Sequence, residues 1–190
     1  ADFQETVREA FPRYQCQVET IPGVNGAPNR TINNHTFLSE DGGYKLSLTK
    51  DFIALSTMRY TNWEDFAARL DEPLGQFIKI YRPNCFDRVG LRFVNAFSRE
   101  QLGLAGRRWN DLLQPPYLGV LDEDEIDEES VVKCSVVVER KLDALAALKL
   151  HAGPGFVQRN IRNGNRVQQV QEKEERFIFV QDVDSTAKVK

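Results

Sequence analysis

The sequence lacks the features that identify a disulfide scaffold, a zinc protein or a membrane protein. It has only three cysteines, which lie far apart and in no C-x-x-C arrangement. Its longest apolar runs are far shorter than the ~20 residues that a membrane-spanning helix needs, and no signal peptide opens the chain. We therefore expect free thiols in a cytoplasmic protein that makes no membrane contact.

The chain also lacks an excess of charge of one sign. Its 25 basic residues are offset by 28 acidic ones, which gives a net charge of −3. A molecule with this balance has no overall field that would attract nucleic acid or an anionic membrane. With 190 residues, of which 41% are hydrophobic, the composition is that of one globular domain over residues 1–190.

Recognisable catalytic motifs are missing as well. The two histidines, His35 and His151, stand in no nucleophile or metal motif. No phosphate-binding loop, dinucleotide fingerprint or G-x-S-x-G elbow occurs. A non-catalytic function is the hypothesis that these absences favour, with no cofactor.

Hydrophobic periodicity predicts an α+β fold. A short helix begins at Asp2, and a long amphipathic helix spans Thr61 to Tyr81, with a capping box at Thr61 and Glu64 and a kink expected before Pro73. Residues 21–34 have the composition of a loop. Strands are expected at 44–49, 52–60, 87–97, 131–140, the second half of 142–151, and 176–184. This order predicts a mainly antiparallel sheet of about six strands with helices on one face.

The predicted core lies between the long helix and this sheet. Its members share the apolar stripe of the helix or one face of the strand at 87–97, and they are Trp63, Phe66, Leu70, Phe77, Leu91 and Phe93. Asn95 falls on that same strand face, so we expect it to be buried and hydrogen-bonded, with ligand binding as the alternative.

A group of arginines is the first candidate binding site. Arg88 and Arg92 share the other face of the strand at 87–97, and Arg59 ends an earlier strand that could lie near them. Guanidinium groups on a sheet face suit phosphate or carboxylate ligands. The alternative is that they form ion pairs with acidic residues such as Asp182 and Asp184.

Two weaker candidates concern metal and nucleic acid. Asp182 and Asp184 share a strand face and could hold Mg²⁺ against a phosphate, which would make the protein a metal-assisted phosphoryl or nucleotide-processing enzyme. Arg159, Arg162 and Arg166 form the main basic stretch, which could contact nucleic-acid phosphates or form a solvated hairpin.

Several segments resemble those of a sporadically distributed bacterial family without an established activity. The resemblance is carried by residues 39–42, 46–55, 60–66 and 88–95, together with the segments that open and close the chain. Members of that family usually have an extra first strand and a long last helix, so the resemblance implies that this chain is part of a longer protein. With that strand restored, the first half would have a ferredoxin-like order.

The leading hypothesis is a non-catalytic binding or regulatory module that acts through contacts with a protein partner or with other copies of itself. The patchy distribution of the family implies a role accessory to a bacterial defence or toxin–antitoxin system. The alternatives are the metal-assisted enzyme and the nucleic-acid binder described above.

Overall fold

The computed structural model of the protein describes residues 2–22, 29–163 and 166–186, apart from the side chains of residues 19, 21, 158–163, 166–169 and 171–173. The chain divides into two compact units, residues 1–84 and residues 85–190. The predicted α+β class with antiparallel strands is confirmed. The strands form two four-stranded sheets, one in each unit, where the sequence predicts a single sheet of about six.

The first unit contains both α-helices and the first sheet. Its elements are α1 (Asp2–Val7), β1 (Arg13–Ile21), β2 (Arg30–Leu38), β3 (Tyr44–Leu48), β4 (Ile53–Thr57) and α2 (Trp63–Tyr81). The sheet order is β1-β2-β3-β4, each strand antiparallel to the next. This is a meander, so the ferredoxin-like order is not observed in this unit. The prediction of a loop over residues 21–34 is wrong for residue 21, which ends β1, and for residues 30–34, which begin β2. A polar strand can still pair through its backbone.

The helix α2 follows the predicted stripe but begins differently. The side chain of Asn62, rather than Thr61, caps it by accepting a hydrogen bond from the Asp65 amide at 2.8 Å. The helix continues through Pro73 without a break and ends at Arg82, which adopts a left-handed conformation with φ of 46°. The predicted break before Pro73 is therefore not observed, and the proline lies inside one continuous helix.

Residues from α1, α2 and the first sheet form one hydrophobic core. The buried members are Phe3, Val7, Phe11, Phe37, Tyr44, Leu46, Leu48 and Leu55. Phe66, Leu70 and Phe77 of α2 pack against them as predicted. Trp63 is 48% exposed, and Leu91 and Phe93 lie on the second sheet, so the predicted core is only partly correct.

The second unit contains the second sheet and a long irregular segment. Its strands are β5 (Val89–Phe97), β6 (Val136–Lys141), β7 (Ala146–Asn163) and β8 (Arg166–Ser185), in the antiparallel order β5-β8-β7-β6. The segment Gly153-Pro154-Gly155, whose residue types favour a turn, lies within β7. None of the helices among the described residues is long and apolar enough to cross a lipid bilayer.

The irregular segment covers part of one face of the second sheet. It includes four short 3₁₀ helices, at Trp109–Asp111, Pro115–Tyr117, Gly119–Asp122 and Glu128–Ser130. Trp109 is 1% exposed and packs edge-on against Phe177 with a ring separation of 5.3 Å. Leu118, Leu121 and Ala152 complete the buried cluster. The opposite face of this sheet carries the candidate site.

Candidate functional site

The register of the second sheet places four charged side chains in one row across its strands. Each residue is the direct cross-strand partner of the next, and together we call them the charged row: Arg92, Asp182, Lys149 and Glu139. Cross-strand partners have side chains on the same face of the sheet, about 5 Å apart. The signs therefore alternate from β5 to β6, and the row has no net charge.

Ion pairs join the charged row at both ends. The Arg92 guanidinium donates two hydrogen bonds to Asp182, from Nε to Oδ1 at 2.5 Å and from Nη2 to Oδ2 at 2.9 Å. The Lys149 ammonium donates to Glu139 Oε1 at 2.6 Å. Three of these four side chains are substantially exposed, whereas that of Asp182 is only 19% exposed. The row is thus a flat, charged part of the molecular surface.

These contacts keep the carboxylates of the row ionised. The hydrogen bonds from Arg92 are the main cause of a lowered pKa at Asp182, and burial opposes them only partly. The hydrogen bond and charge of Lys149 lower the pKa of Glu139 in the same way. Asp182 in turn raises the pKa of Arg92. Asp182, Glu139 and Arg92 are therefore charged at neutral pH.

Arg88 forms a second arginine–aspartate pair beside the row. Its Nη2 lies 2.7 Å from Oδ1 of Asp184, and its Nε donates to the same oxygen at 2.9 Å. Gly90 is the cross-strand partner of Asp184, and a Cβ at that position would come within 2.8 Å of Oδ1. The absence of a side chain at Gly90 therefore leaves room for this carboxylate.

A second row on the same face is mostly apolar. It lies two residues along each strand from the charged row, and we call it the valine row: Val94, Val180, His151 and Val137. Val94 is 60% exposed and Val137 is 51% exposed, while Val180 and His151 are half-buried. Apolar side chains therefore stand in solvent next to the charged row.

The structure brings together four of the residues singled out from the sequence. Arg88 and Arg92 share a sheet face with Asp182 and Asp184, and the ion pairs are those given above as the alternative to ligand binding. Each aspartate contacts an arginine. Among the described residues there is no group of three or more histidine, cysteine, aspartate or glutamate side chains placed to hold a metal ion.

Other candidates lie elsewhere. Arg59 is in the first unit, where its Nη1 donates to Asp41 Oδ2 at 2.8 Å. Asn95 is exposed, so the prediction that it is buried is wrong. Asn95 lies on the face that the irregular segment covers, but its strand β5 is at the edge of the sheet. The segment buries Phe177 and Ala152, which lie on the inner strands β8 and β7.

The basic stretch forms part of the long hairpin of β7 and β8. Arg159, Arg162 and Arg166 lie in these strands, but their side chains are outside the described residues. Their proposed contact with nucleic acid therefore stays a prediction.

Sequence reasoning missed a network of arginine and glutamate side chains on the covered face. The Arg99 guanidinium lies 4.2 Å over the Trp109 ring and donates to Glu128 Oε1 at 2.5 Å. The Trp109 indole N–H donates to Glu175 at 3.3 Å, and the Ser98 hydroxyl donates to Glu174. Within the acidic run at 122–129, Glu128 joins this network through its ion pair with Arg99.

This network borders a cavity of about 650 Å³ whose lining is largely acidic. Arg108, part of a short basic pair beside Trp109, donates to the Ile126 carbonyl at 2.8 Å. The arginines on the cavity wall are thus engaged within the unit. We assign the network to holding the irregular segment in place.

Comparisons with known proteins return no relative. No family model, no curated protein and no solved structure matches the chain. The resemblance to the sporadic bacterial family therefore stays a prediction.

Proposed function

We propose that the protein is a non-catalytic binding module that contacts a protein partner through the exposed face of its second sheet. The observation that carries the proposal is the valine row standing in solvent beside a charged row of zero net charge. Exposed apolar side chains rimmed by charged ones are typical of protein–protein contact sites.

The stability of the unit gives little reason for this arrangement. An exposed ion pair contributes only about 0.2–1 kcal/mol, and burial of Val94 or Val137 on folding is far from complete. Charged side chains do, however, strongly influence which surfaces can approach one another and in what orientation. The pattern is therefore better suited to recognition than to stabilisation.

The same contacts weaken the alternative functions. Arg88 and Arg92 each donate hydrogen bonds to an aspartate, and a phosphate ligand would have to compete with these carboxylates. A nucleic-acid surface needs an excess of positive charge, whereas the charged row is neutral. The observations therefore favour neither a phosphoryl-transfer enzyme nor a nucleic-acid binder at this face.

The resemblance to a patchily distributed bacterial family supplies the biological setting of the proposal. In that setting the protein is an accessory component of a defence or toxin–antitoxin system.

Site-specific photo-cross-linking in the cells that produce the protein tests the proposed function. A photoreactive amino acid replaces Val94, which lies in the valine row, and in a matched variant it replaces Val132, which is fully exposed in the irregular segment. We expect a heavier species, identified by mass spectrometry, from position 94 and not from position 132. Equal cross-linking at both positions, or none at position 94, would contradict the proposal.

A further inference from the structure

We propose that the face formed by the charged row and the valine row binds a second copy of the same chain, related by a two-fold axis parallel to the strands. The inference rests on the proposed function and identifies the partner. Its basis is the alternation of charge along the row. When two copies of the row face each other, opposite charges meet if the two-fold axis is parallel to the strands.

The geometry of a two-fold contact decides which charges meet. When two copies bind through the same face, the axis lies in the plane between the sheets. An axis parallel to the strands reverses the strand order, so β5 of one copy lies opposite β6 of the other. The sequence of signs, plus-minus-plus-minus, then lies against minus-plus-minus-plus.

Every charge in the row would consequently face its opposite. Arg92 lies against Glu139 of the second copy, and by symmetry Glu139 lies against the second copy's Arg92. Asp182 lies against Lys149 of the second copy, and the reverse. A two-fold axis across the strands and along the charged row would instead place each residue of the row against itself, which is repulsive at all four positions. The row therefore selects one orientation and opposes the other.

The valine row supplies apolar contact under the same rotation. Val94 would lie against Val137 of the second copy, and these are the two most exposed members of the row. Val180 would lie against His151. The row on the other side of the charged row consists of Gly90, Asp184, Ala147 and Lys141. It contains no large apolar side chain, so the contact is centred toward the valine row.

The size of the face indicates a weak, reversible dimer. Four strands about 4.8 Å apart and six residues of about 3.4 Å each, the length of β6, give a projected area of roughly 400 Å². This is smaller than the ~800 Å² that each partner buries in a stable interface. Dissociation constants in the micromolar range are therefore expected, with sheets packed near the ~30° of aligned sandwiches.

Two charge reversals test the orientation and the partner together. In Arg92→Glu, residue 92 would repel Glu139 of an identical copy, and in Glu139→Arg, residue 139 would repel Arg92. Mixed in equal amounts, however, the two variants restore an attractive pair at both ends of the row. We expect each variant alone to dimerise at least about tenfold more weakly than wild type, and the mixture to recover dimers.

Sedimentation velocity over a range of protein concentrations measures the dimer, with circular dichroism to verify that each variant is folded. Arg107→Glu is the matched control, since it also breaks an exposed ion pair, with Asp111 at 3.2 Å, away from the sheet face. It should dimerise like wild type. Val94→Ser should weaken the dimer without altering charge, and it tests the same face if a charge variant does not fold.

Three results would overturn the inference. The first is a wild-type protein that stays monomeric at several hundred micromolar. The second is a mixture of Arg92→Glu and Glu139→Arg that does not recover dimers. The third is a loss of dimerisation in Arg107→Glu equal to that in Arg92→Glu. A heterologous protein cross-linked at position 94 together with a monomeric purified protein would remove the second copy as partner and leave the proposed function intact. If position 94 gives no cross-link and the purified protein is monomeric, both the proposed function and the dimer are refuted.

Discussion

Removing the Phe177 side chain should strongly destabilise the second unit. Phe177 is 0% exposed and packs against Trp109 and Phe179, with ring separations of 5.3 Å to each. A phenylalanine buries at least ~150 Å² of apolar surface, which at about 25 cal/mol per Å² corresponds to roughly 4 kcal/mol. Phe→Ala changes in protein cores cost about 3–5 kcal/mol, so Phe177→Ala should lower the free energy of unfolding by about 4 kcal/mol.

The assay is urea unfolding followed by tryptophan fluorescence in a Trp63→Phe background. The protein has two tryptophans, so this substitution leaves Trp109 as the sole reporter, and Trp109 lies in the affected cluster. Trp63 is 48% exposed, which makes its replacement mild. Phe156→Ala is the matched control on β7, since Phe156 is 46% exposed, and it should cost less than about 1 kcal/mol.

A loss below 1 kcal/mol for Phe177→Ala would refute the reasoning. It would mean that the segment around Trp109 does not cover the sheet as described. The same conclusion would follow if Phe156→Ala and Phe177→Ala were equally destabilising.

Three further predictions concern the first core, the start of α2 and the charged row. Leu46→Ala, at a position 0% exposed, should cost about 2–5 kcal/mol in urea unfolding followed by circular dichroism, and a loss under 1 kcal/mol would contradict the first core. Asn62→Ala should cost about 1 kcal/mol while Thr61→Ala costs almost nothing, and the reverse order would restore Thr61 as the cap. The stability difference between wild type and Arg92→Met should be constant above about pH 5 and should shrink as the pH falls below 3.8, the ordinary pKa of Asp182. This sign follows because Arg92 lowers the pKa of Asp182 in the folded state, and a difference that grows on acidification would be inconsistent with it.

The sequence predicts the elements whose apolar residues follow a clear period. The stripe of α2 and the strands β3, β4 and β5 were identified in this way. The strands β1 and β2 are not predicted from the sequence, because residues such as Asn33 and Asn34 are polar and give no hydrophobic alternation. Backbone pairing holds such strands, and it leaves no hydrophobic pattern to read.

The candidate site was predictable in pieces but not as a whole. Period two correctly placed Arg88 with Arg92, and Asp182 with Asp184, on common faces. The row itself depends on which strands pair and in what register, and that is set by the tertiary fold. Lys149 lies in a segment that was correctly predicted as a strand, but nothing in the sequence shows that it pairs with Asp182 and Glu139. Asn95 shows the limit of the same rule, because period two gives the face of a strand but not what covers that face.

Valine-methyl NMR tests the central claim, that the exposed face of the second sheet is the contact surface, most directly. Spectra are recorded as the protein concentration rises and then, at low concentration, after addition of extract from the producing cells. The proposal predicts that the resonances of Val94, Val137 and Val180 shift or broaden, while those of Val120 and Val132, exposed in the irregular segment, do not. Perturbation of Val120 or Val132 with an unchanged valine row would contradict it.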